Sequence, residues 1–128
     1  MAKNKISIQN YPFIHSIYCH KSWIIIAEEN GHIICYSFNE LNKPKFIMPA
    51  SLTRVNCCKI ASFNEKILIT TSIDGTFSLF DFIQRKNGDP TFIQKYKAPG
   101  EPISIETMEN NIILAMNSPS IAIFNIKG

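Results

Sequence analysis

Thr70-Thr71-Ser72-Ile73-Asp74-Gly75-Thr76-Phe77-Ser78-Leu79-Phe80-Asp81-Phe82 reads as two short strands joined by a tight turn. The Asp74-Gly75 pair supplies the positive φ angles of a two-residue hairpin turn, and its flanks are β-branched and aromatic. The same shape stands 44 residues earlier, in Ala27-Glu28-Glu29-Asn30-Gly31-His32-Ile33-Ile34-Cys35-Tyr36-Ser37-Phe38. It stands again 44 residues later, in Ala115-Met116-Asn117-Ser118-Pro119-Ser120-Ile121-Ala122-Ile123-Phe124-Asn125-Ile126. The register holds without a gap. Asn30-Gly31, Asp74-Gly75 and Ser118-Pro119 superpose at the turn, and Tyr36, Phe80 and Phe124 fall at one position.

A fixed period of about 40 to 45 residues carrying short strands is the signature of an array of β-propeller blades. The expected fold is therefore all-β: a partial propeller of about three four-stranded blades at residues 13–50, 54–97 and 102–128, with an extra N-terminal strand at 5–9. In the first unit the strands fall at 13–20, 23–28, 32–38 and 45–48. The second places them at 55–61, 67–72, 76–83 and 91–96, the last following a surface loop at 84–90. In the third they fall at 103–108, 112–116 and 120–126, with a turn at 109–111 and no outer strand. Runs such as Trp23-Ile24-Ile25-Ile26 and Ile67-Leu68-Ile69 are apolar without alternation, as in strands covered on both faces. No stretch keeps a 3.6-residue stripe, so no substantial helix is expected.

Propellers usually close with four to eight blades, so three leave two broad faces to be covered. At roughly 25 cal/mol per Å², a bare blade face forfeits many kcal/mol. Missing blades of a longer propeller, a partner subunit or a second copy of the chain could close the array. With a second copy, residues 5–9 of one chain would complete the third blade of the other in a symmetric swap.

The totals exclude several functions. A net charge of +3 over 128 residues, with no run of like charge, offers no track for a phosphate backbone, and no direct nucleic-acid contact is expected. The longest apolar run, Trp23-Ile24-Ile25-Ile26-Ala27, is far short of the roughly 20 residues that span a bilayer. The N-terminus Met1-Ala2-Lys3-Asn4-Lys5 does not resemble a signal peptide, which points to a soluble intracellular protein of the nucleus or cytoplasm. Cys19, Cys35, Cys57 and Cys58 lie inside expected strands and read as buried thiols. With His15, His20 and His32 they form no C-x-x-C or H-x-x-x-H pair, so neither a metal nor another cofactor is expected. No Gly-rich phosphate loop is present, and no histidine stands at a spacing that implies an activated nucleophile. No catalytic residue is assigned.

From Ser72-Ile73-Asp74-Gly75-Thr76 through Leu79-Phe80-Asp81-Phe82, the chain resembles a WD-repeat blade, with Phe80-Asp81 in place of the usual Trp-Asp. Tyr36-Ser37 and Phe124-Asn125 occupy that place in the other units, and the Gly-His that usually precedes the first strand is absent. Within that superfamily, the run from Asn56-Cys57-Cys58-Lys59-Ile60 to Asp89, followed by Ile112-Ile113-Leu114-Ala115-Met116-Asn117-Ser118, is similar to the Bub-type mitotic checkpoint propeller and its messenger-RNA export sister. The resemblance implies a non-enzymatic adaptor that holds short linear peptides of checkpoint kinases or nuclear-pore components across its top face. Ile73 stands where a tryptophan of such blades often touches the peptide. Two alternatives stay open: a subunit of an RNA-processing, export or trafficking complex, and a propeller enzyme with a hydrolytic site on its axis.

In a propeller, the turns between second and third strands share one face with the segments that lead into each first strand. That face would gather Glu28, Glu29, Ile73, Asn117, Glu101 and Arg54 as candidate peptide contacts. Glu28 and Glu29 read as rim charges. Arg54 suits an acidic or phosphorylated partner because its guanidinium makes bidentate contacts, and it suits an inter-blade salt bridge equally well. Asp74 is placed by turn geometry rather than chemistry. Trp23, at the head of an apolar strand, is expected at a blade junction.

Overall fold

The computed structural model describes residues 6–9 and 13–126. The chain is all-β, with eleven strands in three antiparallel sheets and no helix among the described residues. Sheet 1 runs in the order β1 (Ile14–His20), β2 (Trp23–Glu28), β3 (His32–Ser37) and β4 (Phe46–Pro49). Sheet 2 holds β5 (Val55–Ile60), β6 (Ile67–Ser72), β7 (Thr76–Lys86) and β8 (Asp89–Lys97). The third sheet has three strands, β9 (Pro102–Met108), β10 (Asn111–Met116) and β11 (Ile121–Asn125).

The 44-residue period is carried by backbone pairing. Ala27 pairs with Ile33, Thr71 with Phe77 and Ala115 with Ile121; Ile24 pairs with Tyr36, Leu68 with Phe80 and Ile112 with Phe124. The first strands share a device that the repeat did not reveal. Ile14 pairs with Glu28, Val55 with Ser72 and Pro102 with Met116, and each register then skips one residue. The residues skipped are His15, Asn56 and Ile103, so each first strand enters its sheet through a bulge, which turns the extra side chain out of the ladder.

Two apolar layers join the sheets. Ile25, Ile33, Cys35, Phe46 and Met48 of sheet 1 pack against Cys58, Leu68, Phe80 and Phe82 of sheet 2. The other face of sheet 2, with Ile69, Phe77 and Leu79, packs against Ile105, Ile112, Leu114 and Met116 of sheet 3. Strands β2, β3 and β6 are buried along almost their whole length, which explains their unbroken apolar runs. Trp23 sits edge-on to Phe82, 5.9 Å between centroids, at the junction of sheets 1 and 2.

Several expectations are corrected. The turns at Asp74-Gly75 and Asn30-Gly31 are three-residue loops: Gly75 N–H donates to the Ser72 carbonyl and Gly31 N–H to that of Glu28, both at 3.2 Å. Only the glycine of each takes a positive φ, +87° at Gly75 and +90° at Gly31, the pattern of a tight turn closed by a left-handed residue. Asn117, Ser118, Pro119 and Ser120 form a four-residue loop, because proline cannot take the left-handed position. Most of the expected surface loop at 84–90 belongs to strands: β7 and β8 extend as a hairpin around Asn87-Gly88, both at positive φ. Residues 6–9 form no strand and are exposed, whereas the remainder of the expected 5–9 strand lies outside the described residues. Cys19 is exposed and Cys57 half-buried, leaving Cys35 and Cys58 as the buried thiols.

Candidate functional site

One end of the molecule is built three times over. Glu29 N–H donates to the Phe13 carbonyl at 3.0 Å, Ile73 N–H to Arg54 at 3.0 Å and Asn117 N–H to Glu101 at 2.8 Å. Each bond ties the turn between second and third strands to the segment leading into the first. A second set, Ala50 N–H to the Gly31 carbonyl at 2.9 Å and Ala98 N–H to that of Gly75 at 2.8 Å, fastens the connections between sheets to the same end. Five of the six candidate contacts, Glu29, Arg54, Ile73, Glu101 and Asn117, therefore share this end.

Four of them belong to one network. Arg54 Nη2 donates to Glu101 Oε2 at 3.2 Å, and its Nε to Asn56 Oδ1 at 2.9 Å. Asn56 Nδ2 donates to Glu101 Oε2 at 3.0 Å and to the Pro102 carbonyl at 2.9 Å. Asn117 Nδ2 reaches Glu101 Oε1 at 3.3 Å. Ile73 joins through its backbone bond to Arg54. Arg54 and Glu101 lie in consecutive sheets, so the guanidinium serves a half-buried inter-sheet ion pair. Asn56 is the hub and was not singled out in the sequence, since the bulge that turns it toward Glu101 leaves no mark in residue type.

Beside this network, the Ser72 hydroxyl donates to the Arg54 carbonyl at 3.0 Å and lies 2.9 Å from the Ser51 hydroxyl and 2.8 Å from that of Thr53. Asp74 Oδ1 accepts from the Thr76 N–H at 3.0 Å and its hydroxyl at 2.6 Å, a turn role. Glu29 pairs with His15, the bulge residue of sheet 1. Glu28 is not a rim charge: at 1% exposure it is interior. The 44-residue alignment carried that signal, since Glu28 shares its position with Ser72 and the apolar Met116, both buried.

Four large apolar side chains stand in solvent at this end, beside the exposed Lys97. Phe13, Leu52, Ile73 and Ile103 are exposed, Leu52 to 98%. Among the described residues no group of three His, Cys, Asp or Glu side chains is placed to hold a metal. The polar side chains of Arg54, Asn56, Glu101 and Asn117 are engaged with one another, and such a surface can bind a ligand by apolar contact.

These features define an all-β chain of three packed antiparallel sheets with a loop surface at one end. Comparison with solved structures returns 109 matching chains. Among them is the computationally designed Ika8 protein, at a TM-score of 0.68 and 9% sequence identity. The match takes in 86% of this chain and 32% of the designed one, so this chain spans about a third of the other's length. No family model matches the sequence, and no curated protein matches it.

Proposed function

We propose that the three sheets are successive blades of a β-propeller of WD-repeat type, and that the chain is a non-enzymatic scaffold capturing short extended peptides at the loop end. The observation that carries the reading is the pairing of two facts at that end. Arg54 and Glu101 are committed to each other together with Asn56 and Asn117, while Phe13, Leu52, Ile73 and Ile103 are left in water on rigidly tied loops. Apolar side chains held out on a stiff frame are what a peptide anchor needs, because little ordering entropy remains to be lost on binding. The resemblance to the checkpoint and export propellers makes linear motifs of those partners the first ligands to try.

Selection from a display library of short peptides tests the proposal. A recurring motif with an apolar anchor is expected, with micromolar affinity that drops on the order of tenfold or more in Leu52→Asp or Ile73→Asp, both exposed enough to leave the fold intact. Failure to enrich any motif, or binding indifferent to both substitutions, overturns it.

A further inference from the structure

Sheet 3 ends in an open ladder. In sheets 1 and 2 a fourth strand pairs with the third, β4 on β3 and β8 on β7, but no described strand lies beyond β11. On the face of sheet 3 turned away from sheet 2, Ile121 and Ile123 are 66% and 60% exposed. Their counterparts 88 residues earlier, Ile33 and Cys35, are fully buried, and opposite them on β4 stand Met48 and Phe46, also buried. An unpaired edge beside exposed isoleucines is a template for another strand.

The chain holds a segment that fits this template. Lys5-Ile6-Ser7-Ile8-Gln9 alternates apolar and polar residues, a pattern that suits the alternating burial of the fourth strand β4, where Phe46 and Met48 are inward and Ile47 and Pro49 outward. Ile6 and Ile8 are 73% and 40% exposed and belong to no sheet. Laid antiparallel on β11 in the register β4 keeps with β3, Ile8 falls opposite Ile121 and Ile6 opposite Ile123. Both then extend the bare apolar face rather than the opposite one.

The segment cannot reach that edge in its own molecule. Phe13 is tied to sheet 1 by its bond to Glu29, and five extended residues span at most about 18 Å. Sheets pack about 10 Å apart, so sheet 3 lies about 20 Å away across sheet 2, before the two further strands from β9 to β11 are crossed. One sheet spacing is within reach. The face of sheet 1 turned away from sheet 2 already buries Ile26, Ile34 and Tyr36 and offers the exposed Ile17 and Ile47 to the bare face of sheet 3. Ile17, Ile26, Ile34 and Ile47 form one row across that face of sheet 1, and Ile26, Ile34 and Tyr36 occupy the register positions of Leu114, Ala122 and Phe124, which pack on sheet 2.

We infer that two copies of this chain join head to tail, the sheet 1 end of each against the sheet 3 end of the other, with residues 5–9 of each supplying the fourth strand on β11 of its partner. The arrangement rests on reading the sheets as successive blades. It closes a six-sheet ring with two-fold symmetry and leaves neither β11 edge unpaired.

Sedimentation equilibrium on the 128-residue chain, of mass 14.5 kDa, is expected to return a dimer. Replacing both Ile6→Asp and Ile8→Asp, at sites exposed in the single chain, should weaken association on the order of a hundredfold with unchanged circular dichroism. In a Cys19→Ser background, Ile8→Cys with Ile121→Cys should form an intermolecular disulfide under mild oxidation, and Ile8→Cys with Ala122→Cys, on the opposite face, should not. A monomeric chain, a dimer indifferent to the aspartates, or equal cross-linking in both cysteine pairs overturns the inference. A monomer that still selects peptides leaves the scaffold reading standing, and a dimer that selects none overturns the scaffold alone.

Discussion

Gly31 and Gly75 occupy equivalent turns and nearly the same φ, yet their surroundings differ. A methyl group at Gly31 would collide with the carbonyl oxygens of Ser51 and Thr53, backbone atoms that cannot swing away, whereas at Gly75 the nearest atom, the Gly100 carbonyl oxygen, is 3.5 Å off. Gly75→Ala should therefore cost only the left-handed penalty, about 1 to 2 kcal/mol. Gly31→Ala should exceed it by about 1 to 3 kcal/mol of added strain, a difference that paired urea titrations resolve. The cysteines divide just as sharply. Burial pushes the Cys35 thiol from its ordinary 9.0 up to about 11, and raises those of Cys57 and Cys58 as well. An aromatic disulfide reagent at pH 8 should label the exposed Cys19 quickly and leave Cys35 and Cys58 untouched until the chain unfolds. The native state holds these thiol protons to higher pH than the unfolded chain does. Their contribution to stability is accordingly full below about pH 9 and is lost as pH rises beyond it, a slope that Cys35→Ala should reduce.

The β7–β8 hairpin shows what one element contributes beyond its own pairing. Past Asp81 its register slips, and Asp81 Oδ1 accepts the Ile83 and Gln84 N–H groups at 3.0 and 2.8 Å. That kink brings the Arg85 guanidinium over three rings, 4.7 Å from the Phe82 centroid, 4.8 Å from Phe46 and 5.6 Å from Trp23. The outer ends of sheets 1 and 2 are thereby capped by a cation on a ring cluster. Arg85→Ala should cost about 1 kcal/mol, and Phe82→Ala, which opens a cavity in the layer between the sheets, about 3 to 5 kcal/mol. At the opposite end, a double-mutant cycle on Arg54 and Glu101 should return a coupling of about 1 kcal/mol, since both side chains are less than a third exposed and share Asn56. A coupling near zero would leave Arg54 free for the acidic-ligand role that its residue type suggests.

Across the whole molecule, the sheets are held by two apolar layers and by polar clasps between neighbours. Glu65 of sheet 2 meets Lys21 at 2.7 Å and His20 at 3.2 Å in sheet 1, while Lys59 of sheet 2 meets Glu106 of sheet 3 at 3.3 Å. Its hydrogen bond to Lys21 first, and then that to His20, holds the Glu65 carboxyl below its ordinary 4.5. The stability this contributes is present above that value and is lost as pH falls through the lower folded one. Acid unfolding followed by fluorescence should start at a higher pH in Lys21→Ala, by a small margin, because the pair is exposed.

Read alone, the sequence determined the places of the second and third strands in every unit and their 44-residue spacing, because apolar patterning is local and recurs with the same residue types, but the longer loops shift their pairing by one residue from the register that two-residue turns would set. It also determined that the turns would meet the segments leading into the first strands, and five of six candidate contacts lie where the repeat put them. Only the tertiary structure decided which groups remain free. Whether Arg54 faces a ligand or Glu101 and where Asn56 points both depend on the neighbouring sheet and on bulges that a change in backbone register creates without any special residue. Burial and partner choice are set by chains distant in sequence, and no local pattern encodes which polar group will find its partner first.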